Sequence, residues 1–214
     1  MKNTKILEMI NNGQIKELKA LVQDEIFSDT LESRPGAKQR YKAMKKYFSY
    51  ADNAFKAYKM PCAIDFEGEK YTSFCNGYSI VLTKEPAGEI ALFETPGDYP
   101  QVGKYITYDG QPEEFDFNRI LAEAKAQGYK LKKTEAADGH GCKYLLYYDG
   151  AYYKIGLLDA AYSIINDGGK AAAWHKSGVK TAPLVIKNDI GICLILPVSN
   201  IVERDKIIVG VEQG

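Results

Sequence analysis

Residues 182–200 read APLVIKNDIGICLILPVSN. Leu184, Val185 and Ile186 form a short apolar run, Lys187, Asn188 and Asp189 are turn formers, and Ile190 to Val198 is apolar with Gly191 as its only weak point. Aliphatic runs on either side of a polar turn are the pattern of a β-hairpin. Pro197 has no amide hydrogen to give to a sheet ladder, so it is expected at the strand end or on an edge.

Upstream, the same punctuation recurs. KYLLYYDGAYYKIGLL, residues 143–158, sets Asp149-Gly150 between aromatic-rich runs, a two-residue hairpin signal. From Cys62 to about Pro100 come the short runs AIDF, YTSF, YSIVL and IALF, separated by Glu67-Gly68, Asn76-Gly77, Pro86 to Gly88 and Thr95 to Gly97. The first two are expected to pair as a hairpin. Phe115 to Gln127 reads as a helix with Phe117, Ile120, Leu121 and Ala124 on one side and Gly128 placed to stop it. Leu157 to Ile165 is a further helix, and AAAWHKSG, residues 171–178, is extended chain. Strands and helices in this order, joined by hairpins, predict an α+β fold of antiparallel sheets with packed helices rather than a doubly wound sheet.

The front of the chain differs. Ile6, Met9, Ile10, Ile15, Leu18, Leu21 and Val22 recur mostly at steps of three and four, with Asn11 to Gly13 as a break, so one or two short amphipathic helices are expected. Ser33 to Gly36 makes a turn, and from Ala37 the positions Tyr41, Met44, Phe48, Ala51 and Phe55 keep one helix face apolar. The chain divides into a helical basic segment, residues 1–60, a unit of strands at 61–110, and a unit at 111–214 that includes a C-terminal tail.

At 214 residues and 45% hydrophobic, the chain is long enough to bury a substantial core. Lys plus Arg equals Asp plus Glu at 28 each, so no global field favours nucleic acid or membrane. The charge is unevenly placed, however. Residues 1–60 hold 12 basic and 7 acidic side chains, and residues 61–214 hold 16 and 21. Cys62, Cys75, Cys142 and Cys193 match no zinc or redox spacing, and buried free thiols in a reducing cytoplasm are expected. The opening MKNTKILEMINNGQIKEL has no export-signal core, and no segment approaches 18 uninterrupted apolar residues, so neither export nor a membrane span is expected.

Catalytic signals are sparse. Asp138-Gly139-His140-Gly141-Cys142 places a histidine two residues from a cysteine, which admits a small cysteine hydrolase as an alternative, although no oxyanion-hole signature accompanies it. His175 beside Trp174 has no spaced carboxylate partner for a metal, and DGHG and NDGG lack the spacing and lysine of a phosphate loop. No cofactor is expected, and the protein is read as a non-enzyme. Between Arg34 and Lys59 lie eight basic residues, Arg34, Lys38, Arg40, Lys42, Lys45, Lys46, Lys56 and Lys59, against one acid, Asp52. Such a cluster either releases counterions from a nucleic-acid backbone or is a solvated helix face. Lys38, Arg40, Lys42, Lys45 and Lys46 are the candidate DNA contacts.

Four segments, taken in order, resemble the bacterial DNA sliding clamp, the DNA polymerase III beta subunit. KYTSFCNGYSIVL, residues 70–82, is similar to the clamp strand leading into its Thr-Asp-Gly-His-Arg-Leu turn, here Cys75, Asn76, Gly77, Tyr78, Ser79 and Ile80. GDYPQVGKYI, residues 97–106, resembles the Phe-Pro-Asp linker, with Tyr99 and Pro100 at its Phe-Pro. YYKIGLLDAAYSII, residues 152–165, resembles the segment around Leu-Leu-Asp-Ala-Leu, and CLILPVSN, residues 193–200, resembles the terminal Val-Met-Pro-Met-Arg-Leu.

The resemblance spans roughly residues 60–200 and implies a clamp-like fold, with 61–110 as a partial clamp-like unit and 111–214 as a clamp-like domain. It further implies DNA as a partner and a groove for a short apolar peptide of a polymerase or other replication protein. Carried over by motif, that groove involves Cys75, Ile80, Pro100, Lys104, Tyr105, Leu194, Leu196, Pro197 and Val198. The chain departs from the pattern in having too little sequence for three clamp domains, in the replaced Asp and His of the turn, in Ser199 where the family has Arg, and in a tail, Ile201 to Gly214, past the family's usual end. These departures imply a truncated, divergent, phage-like member for which ring closure is not assumed, and they leave open a protein-interaction domain with no DNA role.

Overall fold

The computed structural model describes residues 2–47, 61–85, 99–130, 143–198 and 206–210. Its strands are β1 (Cys62–Phe66), β2 (Glu69–Cys75), β3 (Ser79–Thr83), β4 (Glu113–Phe115), β5 (Tyr144–Tyr148), β6 (Ala151–Lys154), β7 (Ala171–Trp174), β8 (Leu184–Lys187), β9 (Gly191–Ile195) and β10 (Ile207–Gly210). Its helices are α1 (Lys2–Asn11), α2 (Ile15–Ser33), α3 (Ala37–Tyr47), α4 (Phe117–Ala126) and α5 (Ile155–Tyr162). Seven strands form one antiparallel sheet in the order β1-β2-β3-β9-β8-β7-β4, and a smaller sheet has the order β10-β5-β6. The fold is α+β, as the hairpin pattern predicts. The β3–β9 pairing crosses residue 110, so strands from both sides of that expected boundary share one sheet.

Turn chemistry sets the registers. Glu67 and Gly68 between β1 and β2, and Asp149 and Gly150 between β5 and β6, all have positive φ, the condition for a tight type I′ hairpin turn. In the β8–β9 turn the Asn188 carboxamide oxygen accepts from the amides of Ile190 and Gly191, both at 3.0 Å, and its Nδ2 donates to the Ile165 carbonyl at 2.7 Å. One side chain therefore closes the hairpin and fastens it to the chain after α5. Helix α4 ends as its glycine foretells: Gly128 takes φ of 89°, and the Gly128 and Tyr129 amides return to the Lys125 and Ala124 carbonyls.

The central strands β3 and β9 are buried throughout because both faces of the sheet are covered. Along β9, Cys193 and Ile195 face a core built with Phe74, Val81 and residues of α3, α4 and α5, while Ile192 and Leu194 face Cys75, Ile80, Leu82, Tyr99, Val102 and Ile106. Helix α5 packs against β3 and β9 of one sheet and β5 and β6 of the other. Cys62, Cys75 and Cys193 are buried and not in a disulfide, as expected; Cys142 lies outside the described residues.

Three expectations change. Phe115 is the last residue of β4 rather than the start of a helix, because Asp116 caps α4 by accepting the Arg119 amide at 2.9 Å. The predicted helix at 157–165 begins earlier, at Ile155, and ends at Tyr162. Finally, β10, in the tail, pairs parallel with β5, whereas hairpins alone predict antiparallel neighbours. Among the described residues no helix is long and apolar enough to cross a membrane.

Gly191, the weak point of its strand by propensity, is required by contact. A Cβ there would stand 2.0 Å from the Leu82 carbonyl oxygen and 2.8 Å from Ile165 Cγ2. Gly191→Ala is expected to destabilise the fold by about 1–3 kcal/mol through overpacking, measured by urea unfolding. A neutral or stabilising result would mean that β3 and β9 do not approach this closely.

Candidate functional site

Cys75, Ile80 and Leu194 are neighbours across three strands, with Cys75 opposite Ile80 and Ile80 opposite Leu194. All three side chains belong to the sheet face that the 99–106 segment covers. That segment is tied down where the Tyr99 and Ser73 hydroxyls meet at 2.7 Å in a buried contact, followed by a 3-10 turn at Val102–Lys104. Between cover and sheet an apolar cavity of about 130 Å³ remains, lined by Cys75, Gly77, Tyr78, Ser79, Ile80, Pro100, Tyr105, Leu194 and Leu196.

Local chemistry holds its walls. Asn76 Oδ1 accepts from the amides of Tyr78 and Ser79 at 3.0 and 2.8 Å and from the Ser79 hydroxyl at 3.0 Å, fixing the β2–β3 turn. After β9 the Leu196 amide donates to the Tyr78 carbonyl at 2.9 Å. Pro197 has no amide hydrogen, and the Val198 amide donates instead to Tyr152 of the other sheet at 2.8 Å. The proline thus marks where the chain leaves one sheet for the other, and Leu196 is left beside the cavity. Lys154, buried beneath the turn, sits 5.7 Å from the Tyr78 ring centroid.

Six residues of the expected groove, Cys75, Ile80, Pro100, Tyr105, Leu194 and Leu196, line this one cavity. Lys104 lines an adjoining hollow of about 270 Å³ that shares Pro100. Pro197 and Val198 are half-buried and absent from the cavity lining. Gly77, Tyr78 and Ser79, which the groove assignment omitted, do line it; they lie in the turn whose signal was Asn76-Gly77. Burial pushes the Cys75 thiol up to about 11, so near neutral pH it is a protonated, apolar wall and not a nucleophile. A cavity this small is below the roughly 300 Å³ of small-molecule sites and suits a single inserted side chain.

On α3, Lys38, Lys42, Lys45 and Lys46 are exposed and share one face, opposite the buried Ala37, Tyr41, Met44 and Tyr47. Arg40 does not join them. It is 1% exposed, its Nε donates to Glu85 Oε2 at 2.9 Å, Nη2 bonds the other carboxylate oxygen, and Nη1 donates to the Pro35 and Asn166 carbonyls. Its charge is spent inside the protein because helix periodicity turns position 40 toward the core, which corrects its assignment as a DNA contact. Lys56 and Lys59 lie outside the described residues.

Between α3 and α5 is a cavity of about 340 Å³ whose lining includes Gln39, Lys42, Lys46, Asp159, Ser163 and Asn166. Asp159 accepts from Tyr129 Oη at 3.0 Å and Ser163 Oγ at 3.2 Å. Burial raises its pKa more than those bonds lower it. Its folded value lies above its unfolded one, so its stabilising contribution is full below the unfolded pKa and is lost as pH rises through the folded pKa. Asp159→Asn is therefore expected to raise stability at pH 7, with the gain vanishing below about pH 3.9, where the unfolded carboxyl also protonates. Thermal melts across that range check it, and a loss of stability at pH 7 would refute the sign.

His140 and Cys142 lie outside the described residues. His175 is buried: Nδ1 meets Asp149 Oδ2 at 3.2 Å, and Ser177 Oγ donates to the other Asp149 oxygen at 3.2 Å. Nε2 is buried without a hydrogen-bond partner among the described residues. The serine therefore bonds the carboxylate and not the imidazole, so the trio lacks the nucleophile–base contact of a hydrolytic site. Among the described residues, no group of three or more His, Cys, Asp or Glu side chains could hold a metal ion.

These features define an α+β protein with an apolar sheet-face cavity and a separate basic helix face. No protein-family model and no curated protein matches the chain. Among solved structures it is similar to a crystal structure from Eubacterium rectale ATCC 33656, described as a "Putative DNA polymerase III beta subunit", with a TM-score of 0.49 and 14% identity over 76% of this chain. The match spans 64% of that chain, which is less than two thirds of its length.

Proposed function

We propose that the chain is a non-enzymatic binding protein that captures a short apolar peptide of a partner in the cavity beside β3 and β9. The observation that carries this reading is the convergence of Cys75, Ile80, Pro100, Tyr105, Leu194 and Leu196, from distant parts of the chain, around one opening. An inserted aliphatic or aromatic side chain gains about 25 cal/mol per Å² of apolar surface buried, and Tyr105, half-exposed at the rim, offers a flat ring to the flanking residue. The clamp-like order of the CNGY, DYPQ, GLLDA and LILPV segments supports a peptide of a replication protein as the occupant. Fluorescence polarisation with labelled hexapeptides carrying adjacent Leu and Phe is the test. The wild-type chain should bind, Leu196→Ala should weaken binding about tenfold, and Leu196→Asp should abolish it without changing the circular dichroism spectrum. Peptide binding that survives Leu196→Asp, or no binding by the wild type, would overturn the reading.

A second reading, DNA binding, is favoured by the shared face of Lys38, Lys42, Lys45 and Lys46. Contact with a phosphate backbone through these residues is sequence-independent and weakens with salt. Changing Lys42, Lys45 and Lys46 together to Glu is expected to lower the magnitude of the log affinity against log salt slope for a DNA duplex by about 2–3, at roughly 0.9 per lost phosphate contact. An unchanged slope would overturn this second reading.

A further inference from the structure

The cavity of about 340 Å³ between α3 and α5 has the volume of a small-molecule site, for which roughly 300–1,000 Å³ is usual. It stays open because small side chains line it where the two helices pack: half-buried Ala43 from α3 and buried Ala160 from α5, positions at which longer apolar side chains would close the gap. On α3 the lining residues Gln39, Lys42, Ala43 and Lys46 recur at steps of three, one and three, which is one face of the helix. On the opposite wall Asp159 and Ser163 stand one turn apart. Both bonds to the Asp159 carboxyl come from hydroxyls, those of Tyr129 and Ser163.

The two walls differ in charge. Lys42 and Lys46 are exposed and Asp159 is buried, so the cavity is cationic at its mouth and holds a carboxyl at its floor. Like charges four residues apart on a helix repel, and an anion bound between them relieves that repulsion. A third cation, Lys125, acts on the same carboxyl, so the surroundings favour a ligand with more than one negative charge. A phosphate monoester carries about 1.5 to 2 at neutral pH. At the floor, a hydroxyl satisfies a carboxyl in either protonation state, whereas an ammonium does so only when the carboxyl is ionised. The Gln39 amide both donates and accepts, and Ser163 Oγ, which donates to Asp159, keeps lone pairs for a further donor. We propose that this cavity binds a sugar phosphate, its hydroxyls toward Asp159, Ser163 and Gln39 and its phosphate between Lys42 and Lys46. The site shares no lining residue with the peptide cavity beside β3 and β9.

Isothermal titration of the full chain at fixed ionic strength tests this with ribose 5-phosphate and glucose 6-phosphate as probes. At least one is expected to bind with one site per chain, inorganic phosphate at least about tenfold more weakly, and ribose and glucose without measurable heat. Lys42→Gln with Lys46→Gln should weaken binding by about tenfold or more, and Ala43→Leu, which fills the cavity and keeps every charge, should abolish it. Lys38→Gln, on the same helix but outside the lining, and Leu196→Asp, in the peptide cavity, should both bind as the wild type does. Circular dichroism spectra establish that each variant is folded. No binding of either sugar phosphate, equal affinity for inorganic phosphate, or a loss in Lys38→Gln as large as in the double variant each overturns the proposal. Displacement of the sugar phosphate by a DNA duplex at equal phosphate concentration overturns it as well, because the lysines then serve a nucleic-acid backbone.

Discussion

The two-sided burial of β3 and β9 is the constraint on which the rest of the structure depends. Every residue of both strands is buried, so each face must be covered by something else. One face is closed by α3, α4, α5 and the smaller sheet, which together form a thick, aromatic-rich core. The other is closed by the 99–106 segment, held by the Tyr99–Ser73 contact and a single 3-10 turn. Thin cover of this kind leaves a gap at the end of the strands, and the candidate peptide cavity is that gap.

Helix α3 shows how one element serves the core and the surface. Tyr41, Met44 and Tyr47 pack inward, and Arg40 among them clasps Glu85 and the Pro35 and Asn166 carbonyls. A buried ion pair is costly to assemble and costlier to leave half-made, so it fixes how α3 lies against the loop after β3 and the chain after α5. With that orientation set, Lys42 and Lys46 border the cavity beside α5. The lysine stripe is thus a consequence of an arginine that points the other way.

Much of the fold was legible because local chemistry left little choice. Glu67-Gly68 and Asp149-Gly150 permit tight hairpins, Gly128 stops a helix, and Gly13 breaks the N-terminal run, each through a backbone conformation that few other residues adopt. Phe115 was misread because an aromatic residue next to a helical stripe carries no mark of its own; the cap at Asp116 decides the boundary. Arg40 was misread because a count of basic residues ignores phase along the helix. The parallel pairing of β10 had no local signal, since parallel strands are brought together by distant segments and not by a turn.

By itself the sequence determined the α+β class, the hairpins and their turns, the helical front, and the buried thiols of Cys62, Cys75 and Cys193, all of which follow from side-chain period and backbone preference. Only the tertiary structure decided that Cys75, Ile80, Pro100, Tyr105, Leu194 and Leu196 share one cavity, that Gly191 is demanded by the Leu82 carbonyl, and that Arg40 turns inward while its lysine neighbours do not. The reason is physical: these features are distances between residues far apart in the chain, set by sheet order and by what covers each face, and neither quantity is encoded in any single segment.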